Sequence, residues 1–376
     1  MATRRLTVGA PGHLLPPVEN LIRNTQRSEA QGYDAVWWPD HLMGWYPDGL
    51  WTPEIVELAR YQPNPHVFFD ALLAMAAVAP QTERVLLGTS VTEPLRRHPA
   101  TLAQAFLTLD HLSKGRVILG IGAGEAENVV PYGLDYRHQA AKLEEALAII
   151  RLLWEHDEPV DFDGRFWSLR RAVLGLGPYR PGIYPPIYVA AAGPRTLAIA
   201  GRYADGWLPT LMPPDEYGAK FAALKRAAAA HGRNPERIVG ALWTYTVIAE
   251  THEECHRLLE HPLIKVLALV RPAEVFERHG VRHPLGARAY GIRDFIPTHL
   301  SREAALAAIA RVPLAVVHEF VLHGTPDEIV AALGAYAAQG LQHVVFWNVT
   351  FFADLSKLRP SFDLLRVVLA RCHAGV

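Results

Sequence analysis

Eight times along this chain a short apolar run is followed by a longer stretch with helical periodicity. Strands alternating with helices in this way build a parallel sheet, and eight repetitions close it into an α/β fold, the (β/α)8 TIM barrel. The expected strands are 6–10, 33–38, 85–91, 117–121, 187–192, 206–211, 240–249 and 343–347. Between and after them, helices are expected over 17–31, 68–78, 99–114, 138–155, 194–203, 215–231, 325–339 and 355–371, as at Leu143, Leu147, Ile150 and Leu153, which fall on one stripe. Residues 157–185, rich in Pro and Gly, and 251–320, broken by five prolines, are too irregular for simple crossovers and read as insertions. No Ser, Gly or Pro linker divides the 376 residues, so 1–376 is expected to be one barrel domain.

Several function classes are disfavoured by composition. A formal net charge of -1 offers no basic field to nucleic acid or to an anionic membrane. Cys255 and Cys372 stand far apart in no motif, which fits a reducing cytoplasm rather than a disulfide framework. Pro11 interrupts the N-terminal stretch before a signal-peptide core can form, and no apolar run approaches the roughly 20 residues of a membrane span.

The chemistry gathers at strand ends. Gly32 to His41 reads Gly-Tyr-Asp-Ala-Val-Trp-Trp-Pro-Asp-His; Pro39 stops the strand, leaving Asp40 and His41 at a carboxyl end, where barrels keep their active sites. An imidazole there can pass a proton to or from a carbonyl or alcohol oxygen, and Asp40 can fix its tautomer or accept a hydrogen bond from a cofactor ring. The following stretch, 42–65, is long and irregular and carries Trp45, Tyr46 and Trp51, as working loops do. Gly120, Gly122 and Gly124 lack the spacing of a dinucleotide fingerprint; they mark either a turn with positive φ or a backbone passing close to a ligand. Glu125 follows them and is expected near His41. Gly88-Thr-Ser-Val-Thr92 is an ordinary strand end or a ligand-contacting bulge. Ala190-Ala-Ala-Gly-Pro-Arg195 places small residues before a helix N-terminus, which suits phosphate, with Arg195 able to add a bidentate contact. His252-Glu-Glu-Cys-His256 matches a zinc-protease pattern, but Thr251 and Glu254 explain it as a helix start and no third ligand is visible, so no metal is expected.

Taken together, Trp-Trp-Pro-Asp-His, Gly-Thr-Ser-Val-Thr, Gly-Ile-Gly-Ala-Gly-Glu-Ala-Glu-Asn and Ala-Ala-Gly-Pro-Arg resemble the luciferase-like oxidoreductases. More narrowly, they resemble the branch that uses the deazaflavin coenzyme F420. The likeness runs from the first strand to Trp347. It implies that Asp40 meets the deazaflavin, that Ser90, Val91 and Thr92 form a bulge behind it through a non-proline cis peptide, and that Ala123, Gly124 and Asn128 line it. It implies further that Ala192 and Gly193, with Arg195, hold its phosphate, and that His41 and Glu125 handle the proton. Members of this family often pair, so a homodimer is implied. Within the branch, sugar-phosphate dehydrogenases carry a lysine shortly after the sixth strand; Thr210 to Asp215 has none. The chain is instead most similar to the phthiodiolone ketoreductases, through Glu-Asn-Val-Val-Pro-Tyr-Gly133, the stretch from Gly193 to Asp205, Arg-His-Gly-Val-Arg-His-Pro-Leu-Gly286 and Gly-Thr-Pro-Asp-Glu328. Those enzymes reduce a keto group on a long lipid.

The expectation is therefore an F420-dependent enzyme moving a hydride between the deazaflavin C5 and a ketone or secondary alcohol. Trp45, Tyr46, Trp51 and the second insertion would roof the site with apolar surface and favour an apolar substrate. Two alternatives stand beside it: an FMN-dependent monooxygenase on the same barrel, and a cofactor-binding barrel without catalysis.

Overall fold

The structure, a computed structural model, describes residues 4–376. In chain order its strands are β1 (Thr7–Pro11), β2 (Ala35–Trp38), β3 (Leu86–Thr89), β4 (Val117–Ile121), β5 (Val160–Asp163), β6 (Ser168–Ala172), β7 (Ile187–Val189), β8 (Gly206–Trp207), β9 (Val239–Ile248), β10 (Val321–Gly324) and β11 (Leu341–Asn348). Parallel pairing runs β1-β2-β3-β4-β7-β8-β9-β11 and returns from β11 to β1, closing the expected barrel. The expected helices appear in place, among them Val18–Ala30, Pro99–Ser113, Gln139–Glu155, Pro194–Tyr203 and Leu358–Ala374.

The barrel interior is filled by few, large rings. Trp37 of β2 is wholly buried. Its neighbours on either side are glycines: a Cβ on Gly9 of β1 would fall 2.6 Å from its ring, and one on Gly88 of β3 closer still. Tyr188 of β7 stands 5.7 Å from it, and the Trp37 indole N–H donates to Nε2 of His343 at 2.9 Å. Small residues on one strand thus make room for a large one on the next, which keeps the interior dense. Outside the strands, a separate and larger core joins the helices to the barrel wall, with Phe106, Leu147 and Trp207 fully buried.

Two pieces of secondary structure were not expected. The first insertion contains an antiparallel hairpin of β5 and β6. The second insertion ends in β10, four residues that pair with Tyr245–Ile248 of β9. The short β8 occupies that edge of β9 only at Val239 and Gly240, so β10 continues the wall beyond it toward the carboxyl end. Within residues 251–320, the helix His252–Leu259 starts under its Thr251 cap as expected. The expectation of no further ligand near His256 needs correction, because the fold sets His318 and His323 against it. The aromatic loop and this insertion share a third core, with Tyr46, Leu50 and Trp51 packed among residues such as Leu267 and Phe276. Among the described residues, no helix is long and apolar enough to cross a membrane.

Candidate functional site

All the strand ends singled out above open into one cavity of about 1650 Å³. Asp40, His41, Trp45, Tyr46, Trp51, Ser90, Val91, Thr92, Ala123, Gly124, Glu125, Asn128, Ala192, Gly193 and Arg195 all line it.

His41 sits where Pro39 has ended β2, with Glu125 3.3 Å from its Nε2 and Glu127 3.3 Å from its Nδ1. Asn128 orders the group: its Oδ1 accepts from the Leu42 amide at 2.7 Å, so its Nδ2 points to Glu127 Oε1 at 2.9 Å and to His41 Nδ1 at 3.2 Å. The Met43 carbonyl also faces Nδ1 at 3.2 Å. Nδ1 thus lies between an acceptor, the Met43 carbonyl, and a donor, the Asn128 amide, while Nε2 faces Glu125 and can exchange a proton with it. Phe68 stacks on the imidazole and Trp45 meets it edge on, with centroids 5.7 and 5.8 Å away. The ring therefore has little freedom except along its two nitrogens.

Both carboxyls are unusual. Glu127 has no solvent exposure, its Oε2 has no hydrogen-bond partner, and burial pushes its pKa up to about 8. Burial, and then repulsion from Glu127, hold Glu125 well above the carboxylate range against the pull of His41. About a quarter of the Glu125 side chain is accessible, and that part opens to the cavity. A protonated carboxyl beside an imidazole, with a second acid behind, is a proton store at neutral pH. The ligand atoms of His41, Glu125 and Glu127 lie within 4.8 Å of one another, a spacing a cation could also use; a shared proton balances the same charge.

Asp40 is 3% exposed and faces away from this trio. Its carboxylate accepts from the Thr92 hydroxyl at 2.6 Å and pairs with Arg97 and, at 3.2 Å, with Arg96. Burial alone would raise its pKa, but the two guanidiniums and Thr92 outweigh it and keep the carboxyl below its usual range. Among the described residues Asp40 makes no hydrogen bond to His41, so of the two roles offered for it, fixing the tautomer of that ring is not the one it plays. Asp40 instead anchors the loop after β3, since Arg96 also reaches its carbonyl and Glu93. Neither arginine was singled out in the sequence, nor was Glu127; the signals were there in Arg96-Arg97 after Glu93-Pro-Leu and in two acids spaced across Ala126.

The opposite wall is backbone. The peptide between Ser90 and Val91 is cis, as the family resemblance implied. The buried hydroxyl of Ser90 finds no partner in the protein, although it lies at the cavity surface. Gly120 and Gly124 explain themselves locally: a Cβ on Gly120 would lie 1.7 Å from the Thr89 carbonyl oxygen, and Gly124 has φ +91° with Leu95 beneath it. At Gly120 the close approach is between β3 and β4, while Gly122 and Gly124 line the cavity. At the helix Pro194–Tyr203, Gly193 is the cap residue, with open space beside its α-carbon. Arg195 is 64% exposed, and its nearest acid, Glu144, is 4.0 Å away. An orphaned hydroxyl on one side and free helix-end amides with a loosely held arginine on the other suit a flat ring bearing a phosphate tail.

Above, Tyr46 and Trp51 are nearly buried and meet Phe352 edge to face, while Trp45 stacks on Phe295 from the 251–320 stretch. Burial pushes the Tyr46 phenol far above its ordinary value, so it stays neutral.

Comparison with known proteins agrees with this layout. The family model described as luciferase-like monooxygenase matches residues 2–343. A phthiodiolone/phenolphthiodiolone dimycocerosates ketoreductase of Mycobacterium sp. (strain JLS) is 37% identical over 341 residues, covering 89% of each chain. An F420-dependent glucose-6-phosphate dehydrogenase of Beutenbergia cavernae is 33% identical over 331 residues, covering 87% of this chain and 86% of its own. Among solved structures, an F420-dependent secondary alcohol dehydrogenase in complex with an F420-acetone adduct superposes with a TM-score of 0.72 at 22% identity, covering 97% of this chain and 99% of that one, which supports the fold. With its barrel, its strand-end cavity and a family model spanning nearly all of it, the chain belongs to the luciferase-like family.

Proposed function

We propose that this protein is an F420-dependent oxidoreductase that moves a hydride between the deazaflavin and an apolar ketone or secondary alcohol. The observation that carries the proposal is the His41, Glu125 and Glu127 trio, a buried proton store facing the wall formed by Ser90 and Val91. Both relatives above one-third identity or near it act on a carbonyl or carbinol centre by name, and one is named for F420. Bound F420 would supply a hydride acceptor or donor and no acid or base for the substrate oxygen.

That acid and base come from the chain. In the reducing direction the Glu125 carboxyl, 3.3 Å away, gives a proton to His41 Nε2, which passes it to the carbonyl oxygen. Glu125, left as a carboxylate, compensates the imidazolium charge, while Glu127 lies 3.3 Å from Nδ1 and helps hold the ring in line. Trp45 and Phe68 keep water from the imidazole and hold it in line. A cavity of about 1650 Å³ is larger than the roughly 300–1,000 Å³ of ordinary ligand pockets. It would admit a cofactor and a long apolar substrate together, in keeping with the aromatic roof. Lys220 reaches the same cavity, but its amine is paired with Glu216 at 2.8 Å and is not a free phosphate ligand.

Fluorescence titration with F420 and with FMN tests the cofactor, and a ketone screen with wild type, His41→Ala and Glu125→Gln tests the chemistry. Tight F420 binding, weak FMN binding and a kcat loss of about 10²–10⁴ in each variant are expected. Preference for FMN with oxygen uptake would establish a monooxygenase instead. Cofactor binding with no turnover on any substrate would leave a carrier.

A further inference from the structure

Outside the cavity, where the second insertion begins and ends, the fold assembles a cluster of imidazoles. His252 and His256 lie one turn apart on the helix His252–Leu259, with ring centroids 4.4 Å apart. His318 comes from the end of the helix Leu314–Phe320 and His323 from β10. Their rings are 4.5 Å apart, and they lie 4.9 and 5.8 Å from that of His256. These residues are separated in sequence by the whole insertion. Packing three imidazoles face to edge without a shared partner has no evident benefit to the core, since Val or Leu would fill the space without leaving polar nitrogens to satisfy.

We propose that His256, His318 and His323 form a binding site for one divalent transition-metal ion, zinc in the first place, which staples the base of the insertion. Nitrogen atoms of the three, one from each, lie within 4.8 Å of one another. Tetrahedral zinc at 2.0–2.1 Å from each ligand needs about 3.3 Å between nitrogens, so small side-chain rotations close the site. The Nδ1 of His323 is 2.8 Å from the Val321 carbonyl. That carbonyl can only accept, so the hydrogen sits on Nδ1 and the lone pair on Nε2, the arrangement in which metal-binding histidines are usually held. Nε2 of His318 is buried with no hydrogen-bond partner in the protein, which leaves it a ligand atom without an occupation. Neutral rings are what a transition metal requires, and three imidazoles suit zinc, nickel or copper(II). The fourth position falls to water or to His252, whose Nδ1 is 2.7 Å from Glu328 Oε1, a carboxylate suited to orient a coordinating ring. The zinc-protease spacing in the sequence is therefore not what builds the site: His256 binds with His318 and His323, partners the spacing does not show.

The test uses the full chain freed of metal with a chelator and dialysed, then titrated with zinc chloride by calorimetry and with cobalt(II) by absorption spectroscopy. One zinc per chain, a raised melting temperature and the visible bands of tetrahedral cobalt are expected. His318→Gln and His323→Gln should each weaken binding at least about tenfold, and His256→Gln with them should abolish it. Melting of each metal-free variant at the wild-type temperature shows that folding is intact. A parallel His41→Ala variant should bind zinc as wild type does. Binding lost in His41→Ala, binding retained in the triple variant, or no binding to wild type would each overturn the proposal.

Discussion

Glu127 makes no contact with solvent, yet its carboxyl lies 3.3 Å from His41 Nδ1. Its folded pKa, about 8, lies above that of an unfolded glutamate near 4.5, so the native state keeps a proton the unfolded chain has given up. Such a group contributes stability that is fully present below pH 4.5 and is lost as pH rises through 8. Glu125 shifts in the same direction and adds to the slope. Urea unfolding of the wild type should therefore show a loss on the order of 3 kcal/mol between pH 6 and 9, and Glu127→Gln should remove much of it. An unchanged slope in the variant would assign the titration to another group. That His41 and Glu125 share one cavity was legible in the sequence because each lies within four residues of a strand's carboxyl end, and those ends gather at one face of a barrel. Glu127, Arg96 and Arg97 were not, because their roles come from burial: an acid two residues from another reads as solvated until the fold removes the water.

At the scale of elements, β3 and β4 pair closely enough that Gly120 has no room for a methyl group. The obstacle is the Thr89 carbonyl, one residue before Ser90, and backbone cannot rotate aside as a side chain can. Gly120→Ala should destabilise by about 3 kcal/mol through this overpacking, read as a lower urea midpoint, and should weaken cofactor binding by displacing Ser90 and Val91. A variant of wild-type stability would mean that the two strands slide apart freely. The eight barrel strands were legible because parallel strands are buried on both faces and read as continuous apolar runs. The hairpin of β5 and β6 was missed although Asp163-Gly164 stands at its turn, because Val-Asp-Phe-Asp and Ser-Leu-Arg-Arg-Ala are short, polar and half-exposed. So was β10, whose four residues follow a helix directly and include a histidine and a glycine. Its strand character comes from the unpaired upper half of β9, which lies in another part of the chain.

Across the whole molecule, His343 shows how the barrel depends on closure. It is the point where the last strand meets the first two, receiving the Trp37 N–H on Nε2 and lying 2.9 Å from Thr7 Oγ1 through Nδ1. Burial holds its pKa down to about 4, against 6.5 for a free imidazole. Here the folded value is depressed below the unfolded one for a base, so stability is present above pH 6.5 and is lost as pH falls toward 4. Acid should weaken the fold by on the order of 2–3 kcal/mol over that range through this residue. A His343→Gln variant, less stable at pH 7, should show a shallower decline, measured by thermal melting at intervals from pH 7 to 4; an equal decline would place the acid sensitivity elsewhere.

The sequence by itself determined the barrel, the order of its strands and helices and the strand ends that meet in one cavity. Those features follow from periodicity, from proline and glycine punctuation and from the geometry common to parallel barrels, all of which are local or generic. Only the tertiary structure decided that Asp40 serves the arginines rather than His41, that Glu127 stands behind the imidazole, and that His256 meets His318 and His323. Each of those depends on which residues are brought together from distant segments and on how much water is excluded around them, and neither quantity is carried by spacing along a chain.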